Sequence, residues 1–183
     1  MKSDEQKRQD QGPVVPLSNG EESNRGAPPD GTVTQDPLRQ KANRYNRQLL
    51  LPEIGVEGQR RLGESRVTIV GMGALGSCAA GTLVRAGVGK VVLIDRDLVE
   101  LHNLQRQVLY TEEDLDRPKA LAASEILKKV NTTVEIEAHA VDLNPSNAEE
   151  LLKDSDVVLD GTDNLQTRFL VNDVCVKHRI PWI

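Results

Sequence analysis

No stretch of this sequence approaches about 18 consecutive apolar residues, so no segment is expected to cross a membrane. The N-terminus is charged and polar and has no apolar h-region, so no secretory signal is expected. Cysteine is scarce. Cys78 and Cys175 lie far apart without CxxC spacing, and neither a disulfide framework nor a metal cage can be read from them. Both fall in apolar helical patterns, and the expectation is two buried, reduced thiols in a cytoplasmic protein. A basic excess is missing too. The formal net charge is −5, whereas nucleic-acid binding normally shows a basic face. Neither nucleic acid nor membrane is an expected partner.

Aromatic residues are absent from positions 1 to 42, which carry five of the nine prolines and charges of both signs. Such a stretch cannot bury enough apolar surface to offset chain entropy. Residues 1–42 are therefore expected to be a disordered polar tail, with an interaction arm as the alternative. Residues 43–183 are long enough for one domain with a real core.

The ordered part reads as an arm followed by βα alternation. RYNRQLLLPEIGVEGQRRL, from Arg44, suggests helices broken by a turn around Pro52 to Gly55. Short β-branched runs predict strands over 66–70, 90–95, 133–141 and 156–160. Helices are expected over 73–86 and 118–130, the latter with proline at its first turn. A shorter helix, capped by Ser146 or Asn147, should run to about Asp154, and a longer one from Asn164 to Arg179. IPWI at the end begins a fifth strand. The predicted class is α/β: a Rossmann-like, doubly wound, mostly parallel sheet with an N-terminal helical arm. The chain stops inside the fifth strand, so the expected domain is incomplete at its C-terminus.

Gly71-x-Gly73-x-x-Gly76 follows a strand and opens a helix. Gly71 permits the tight turn, Gly73 the approach of backbone to a nucleotide, and Gly76 the close packing of helix on strand. The helix N-terminus adds free N–H groups and a positive dipole end. Asp95, 19 residues after Gly76, ends the next strand and can accept hydrogen bonds from ribose hydroxyls. This pattern serves NAD and ATP equally. The alternative is a tight turn without a ligand.

The next stretch, from Asp95 and Asp97 to His102, Asn103, Leu104, Gln105, Arg106 and Gln107, decides between them. Polar groups crowd the carboxyl end of a strand, where open sheets bind ligands. Arg106 offers a planar fork for phosphate oxygens. Asn103 can hydrogen-bond a phosphate or ribose without adding charge. Lys119 follows Pro118 at a helix start and can point into the same crevice. Two cations and a helix N-terminus suit a triphosphate better than a nicotinamide. Taken singly, Arg106 reads equally as a salt-bridge partner and Lys119 as a solvated charge. Gly161-Thr162-Asp163-Asn164 follows another strand. Asp163 is a candidate Mg²⁺ ligand or a helix cap, and Asp160 a weaker metal candidate.

RYNRQ, GxGxxG, DxDxVxxxNLxRQ, PK and GTDN, in this order, resemble the adenylyltransferases of the MoeB/ThiF/HesA type, relatives of the ubiquitin-activating enzymes. The resemblance covers Arg44 to Ile183. It implies a homodimer that uses ATP and Mg²⁺ to adenylate the C-terminal glycine of a small ubiquitin-like sulfur-carrier protein ending in Gly-Gly. It implies a nucleotide site of Gly71, Gly73, Ala74, Gly76, Asp95, Asp97, His102 to Arg106, Lys119, Asp163 and Asn164. Asp95 would bind the ribose, Asn103, Arg106 and Lys119 the phosphates, and Asp163 the Mg²⁺. Arg47 would reach the partner subunit's triphosphate. Loss of Arg106 or Lys119 is then expected to cost activity but little stability, both being taken as exposed. Ala74 stands where many members have a second glycine, which narrows the backbone's approach. Zinc and thiol chemistry, where members have them, belong to segments after the fifth strand. The competing readings are an NAD(P)-dependent oxidoreductase and a non-catalytic binding or dimerisation module.

Overall fold

The computed structural model describes residues 44–183; the tail expected over 1–42 lies outside them. The element order is α1 (Asn46–Leu49), α2 (Gly55–Glu64), β1 (Arg66–Val70), α3 (Ala74–Ala86), β2 (Lys90–Ile94), α4 (Lys119–Val130), β3 (Glu135–His139), α5 (Ala148–Leu152), β4 (Val157–Asp160) and α6 (Leu165–His178). The four strands form one parallel sheet in the order β3-β2-β1-β4. The chain winds outward from β1 through β2 to β3, then returns to the other side of β1. That reversal opens a crevice at the carboxyl ends of β1 and β4.

Strand alternation builds two cores. Val67 and Ile69 of β1 and Val91 and Leu93 of β2 pack with Ala80 and Val84 of α3 and Ala123 and Leu127 of α4. The opposite face carries Val70, Val92, Ile94 and Val158 against Leu152 of α5 and Val171, Val174 and Cys175 of α6. Helices on both faces account for strands that are apolar at nearly every position.

Three expectations are corrected. The third strand is shorter than 133–141, whereas the expected beginning of a fifth strand is present as a parallel bridge from Trp182 to Val158. Asn147 stands at the start of α5 but does not cap it with its side chain. Its Oδ1 instead accepts the Asn144 N–H and its Nδ2 donates to the Asp142 carbonyl. Cys78 is exposed while Cys175 is buried. The buried stripe of α3 runs through Gly76, Ser77, Ala80, Gly81 and Val84, and the helical period turns Cys78 away from it. Burial pushes the Cys175 thiol up, which keeps it protonated. Among the described residues no helix is long and apolar enough to cross a membrane.

The arm docks through polar contacts. Tyr45 is buried, and its hydroxyl accepts a 2.8 Å hydrogen bond from Asn131 Nδ2, which also donates to the Val84 carbonyl. Gln48 and Gln59 both donate to the Ala86 carbonyl near the end of α3. Tyr45 rests on Gly87, whose φ is +83° and where a Cβ would stand 2.4 Å from the Tyr45 hydroxyl. Gly87→Ala is therefore expected to lose about 2–4 kcal/mol, from left-handed strain and an arm pushed off its seat. Chemical denaturation measures this; a change below 1 kcal/mol, by the usual scatter of about 0.5 kcal/mol for surface sites, contradicts it.

Candidate functional site

A cleft of about 460 Å³ occupies the crevice at the carboxyl end of the sheet. It is lined by Gly71, Gly73, Ala74, Asp95, Asp97, His102, Asn103, Arg106, Lys119, Asp163 and Asn164, eleven of the residues expected from the sequence. Gly76, Leu104, Gln105 and Arg47 are elsewhere. Leu104 packs on the core beneath β1 and β2, and Gln105 and Arg47 are exposed.

The glycines build the floor. Gly71 has φ +89°, and a Cβ there would meet the Gly161 carbonyl at 2.9 Å. The loops after β1 and β4 thus touch backbone to backbone. A Cβ on Gly76 would stand 1.8 Å from the Gly71 carbonyl oxygen. Gly76 therefore sets the height of α3 under the loop instead of lining the cleft. Gly73 precedes α3, and only the Gln107 amide comes within 4 Å of its Cβ position, at 3.8 Å.

Asp95 is held by its neighbours. Its Oδ2 accepts from Met72 N–H at 2.6 Å and its Oδ1 from Asp97 N–H at 2.7 Å. Each oxygen keeps a lone pair, so the pair of acceptors is preserved and oriented. Burial pushes this carboxyl above the ordinary aspartate range, opposed by the two N–H bonds and by the Lys119 charge. Tyr110 fastens the loop from behind, donating 2.8 Å to the Met72 carbonyl, and burial pushes its phenol up so that it remains a donor.

Between β2 and α4 the chain forms two 3₁₀ turns, Leu101–Asn103 and Glu112–Asp114, with no α-helix. Asn103 is buried and closes a capping box, its Oδ1 accepting from Glu100 N–H and its Nδ2 meeting His102 Nε2 at 3.1 Å. Arg106 is exposed, donates to the His102 carbonyl at 3.2 Å, and pairs with no carboxylate among the described residues. Lys119 corrects an expectation. It is 6% exposed, with Nζ 3.2 Å from Asp97 Oδ2. The Leu98–Pro118 bridge folds the intervening loop back over its stem.

After β4, Asn164 is the helix cap, its Oδ1 accepting from Gln166 N–H. Asp163 is exposed on the cleft and takes no part in capping. Asp160 is spent on the loop itself: Oδ1 accepts from the Thr162 N–H and hydroxyl, and Oδ2 from Arg168 Nε at 2.8 Å. Among the described residues no group of three or more His, Cys, Asp or Glu is placed to cage a metal.

Lining residues the sequence reading passed over are Arg96, Glu100, Val141, Asp142, Leu143 and Thr167, while Gln107 and Thr162 lay in its motifs without a role. Val141 to Leu143 follow β3, and the carboxyl-edge rule that flagged the loops after β1, β2 and β4 applied there as well. Gln107 ends the NLQRQ motif, but nothing in its type signalled burial.

A "Sulfur carrier protein ThiS adenylyltransferase" of Bacillus subtilis is 47% identical over 142 residues, covering 76% of this chain and 42% of that protein. A "Sulfur carrier protein adenylyltransferase" of Thermus thermophilus is 48% identical over 138 residues, covering 75% of this chain and 51% of that one. The chain thus spans about half the length of these relatives. A crystal structure of Escherichia coli MccB with ATP superposes with a TM-score of 0.70 at 29% identity, covering 76% of this chain and 44% of that one. The model of the ThiF family matches residues 45–183, and the chain, glycine loop and cleft included, belongs to that family.

Proposed function

We propose that the protein uses ATP to adenylate the C-terminal glycine of a small ubiquitin-like sulfur-carrier protein ending in Gly-Gly, with release of pyrophosphate. The observation that carries this reading is the cleft wall: a helix N-terminus behind a glycine loop, faced by an arginine that has no carboxylate partner among the described residues and a lysine held on Asp97. Two cations and a helix N-terminus suit a triphosphate better than the diphosphate of a nicotinamide dinucleotide. The names of the relatives from B. subtilis and T. thermophilus, and the ATP bound by MccB, support the same substrate class.

The carrier's carboxylate attacks the α-phosphorus, the bond to the bridging oxygen breaks, and pyrophosphate leaves. Nucleophile and leaving group are both anionic, so positioned cations and N–H donors supply the catalysis without a covalent nucleophile. Asp95 holds the ribose hydroxyls. Asn103, Arg106, Lys119 and the α3 N-terminus hold phosphate oxygens. Asp163 fits a Mg²⁺ ion, because its carboxylate lies on the cleft and is not used in capping. Mg²⁺ takes one or two carboxylates and otherwise water and phosphate, so the lack of a protein cage suits it. When bound, the ion neutralises phosphate charge. Among the described residues no group of three or more His, Cys, Asp or Glu is placed to hold zinc.

Pyrophosphate exchange into ATP, dependent on a Gly-Gly-ended carrier, tests the reading in the full-length protein. Absence of exchange together with NAD binding at ATP-like strength by calorimetry sinks it.

The protein acts as a homodimer in this reading. Arg47 is exposed and lines no part of its own subunit's cleft, and Leu165, Phe169 and Val176 expose apolar surface along α6. Arg47→Ala should be inactive alone and should recover partial activity when mixed with inactive Asp163→Ala, since each heterodimer then has one intact site. Mixtures shown to exchange subunits but giving no recovery place Arg47 outside the partner's site.

A further inference from the structure

The turn α1 buries none of its residues, and so short a helix does not hold itself in water. Two polar seats hold it. Ahead of the turn, Tyr45 is buried, and its hydroxyl accepts from Asn131 Nδ2, which also donates to the Val84 carbonyl at 2.8 Å. Asn131 is itself fully buried, and its Oδ1 accepts from the Thr133 hydroxyl at 2.9 Å. Within the turn, Gln48 Nε2 donates to the Ala86 carbonyl at 3.1 Å and to Gln59 Oε1 at 2.8 Å. Capping of α3 does not account for these bonds. The Val84 carbonyl already accepts the Gly87 N–H, and the Ala86 carbonyl already accepts from Gln59. Polar bonds of fixed direction specify one placement of the arm, where apolar contact would allow several.

Arg47 stands between the two seats and is exposed. Its backbone is therefore fixed while its side chain is left to reach outward. Both seats lie at the ends of α3 and α4 away from the cleft. Asn131 follows α4, whose 12 residues begin at Lys119 and put about 18 Å of helix between the two. A change at Asn131 thus has no direct route to its own subunit's cleft. We propose that Asn131 is a positioning residue: through Tyr45 it sets the place from which Arg47 enters the cleft of a second copy of this chain. The inference rests on the homodimer reading above. An arginine on an arm held in advance gives up less freedom when it meets the phosphates.

Mixed-subunit pyrophosphate exchange in the full-length protein, with ATP·Mg²⁺ and a Gly-Gly-ended carrier, tests it. Asn131→Ala alone should lower exchange about 10-fold or more, since the seat loses its donor. Tyr45→Phe keeps the ring on Gly87 and removes only the hydroxyl, so exchange should fall about 5-fold, the worth of one neutral hydrogen bond. Mixed with inactive Asp163→Ala, either variant should gain activity per seat-variant subunit, because one site then pairs an intact cleft with an intact arm. Mixed with Arg47→Ala, neither should gain, because both arms are then defective. A defect confined to the variant's own fold gives another pattern: a partner's arm does not restore a spoiled cleft. Should Asn131→Ala melt below the assay temperature, Tyr45→Phe decides alone. Full activity in either variant, a gain in the Arg47→Ala mixture, or no gain with Asp163→Ala where Arg47→Ala does gain, overturns the inference. No gain for Arg47→Ala either, in mixtures shown to exchange subunits, overturns the homodimer reading together with it.

Discussion

Lys119→Ala is expected to reduce carrier adenylation by on the order of 10²-fold or more, because negative charge developing on the phosphates loses a fixed cation. Stability should fall as well, by about 1 kcal/mol, since the four-carbon stem is buried and its removal leaves a gap. The carboxylate left behind costs little: Asp97 has a side chain 57% exposed and turns to water. Lys119→Met separates the two effects. It keeps the stem and removes the charge, so stability should return while adenylation stays low. Arg106→Ala, by contrast, should lose activity with no measurable change in melting temperature, its guanidinium being exposed and without a carboxylate partner among the described residues. Activity retained in Lys119→Met would show that the lysine serves the fold alone.

The difference between those two cations marks where the sequence was readable. That Arg106, Lys119 and Asp95 line one cleft was legible because strand ends and a glycine loop fix the carboxyl edge. The burial of Lys119 was not legible. It depends on the Leu98–Pro118 bridge, a contact across 20 residues of irregular chain that no period encodes. Strands β1, β2 and β4 were legible from short β-branched runs. β3 is an edge strand with Glu135, Glu137 and His139 outward, and its charged ends blurred the boundary. The exposure of Cys78 was lost for a related reason. Small residues surround it on both faces of α3, and composition alone gives no phase. Asp160 looked like a metal ligand because it ends a strand, and only Arg168, a full turn into α6, shows that its charge is already used.

Gly76→Ala should be the most damaging single methyl in the domain. The added Cβ would sit 1.8 Å from the Gly71 carbonyl oxygen and 3.3 Å from Ile69 Cγ2. The first contact is with backbone, so no side-chain rotation relieves it. Either α3 lifts from the sheet, opening the core around Ala80 and Val84, or the Gly71 turn is displaced. Gly71 has little room to move, because its own Cβ position already meets the Gly161 carbonyl at 2.9 Å. Displacing it also pulls the Met72 N–H from Asp95 and the Met72 carbonyl from the Tyr110 hydroxyl. The expected loss exceeds about 4 kcal/mol, most of the stability of a domain near the lower end of the usual range of about 5–15 kcal/mol. Any folded fraction should have lost ATP binding, because the loop and the carboxylate acceptor move together. Ala74, two residues earlier, provides the control: Ala74→Gly adds no atoms at the start of α3 and should leave ATP affinity within about 3-fold, the helix-propensity cost being about 1 kcal/mol at most. Circular dichroism melts and ATP titration of the two variants decide it. A Gly76→Ala protein that melts within a few degrees of the unaltered one and binds ATP normally would mean that α3 does not rest on the Gly71 turn in solution.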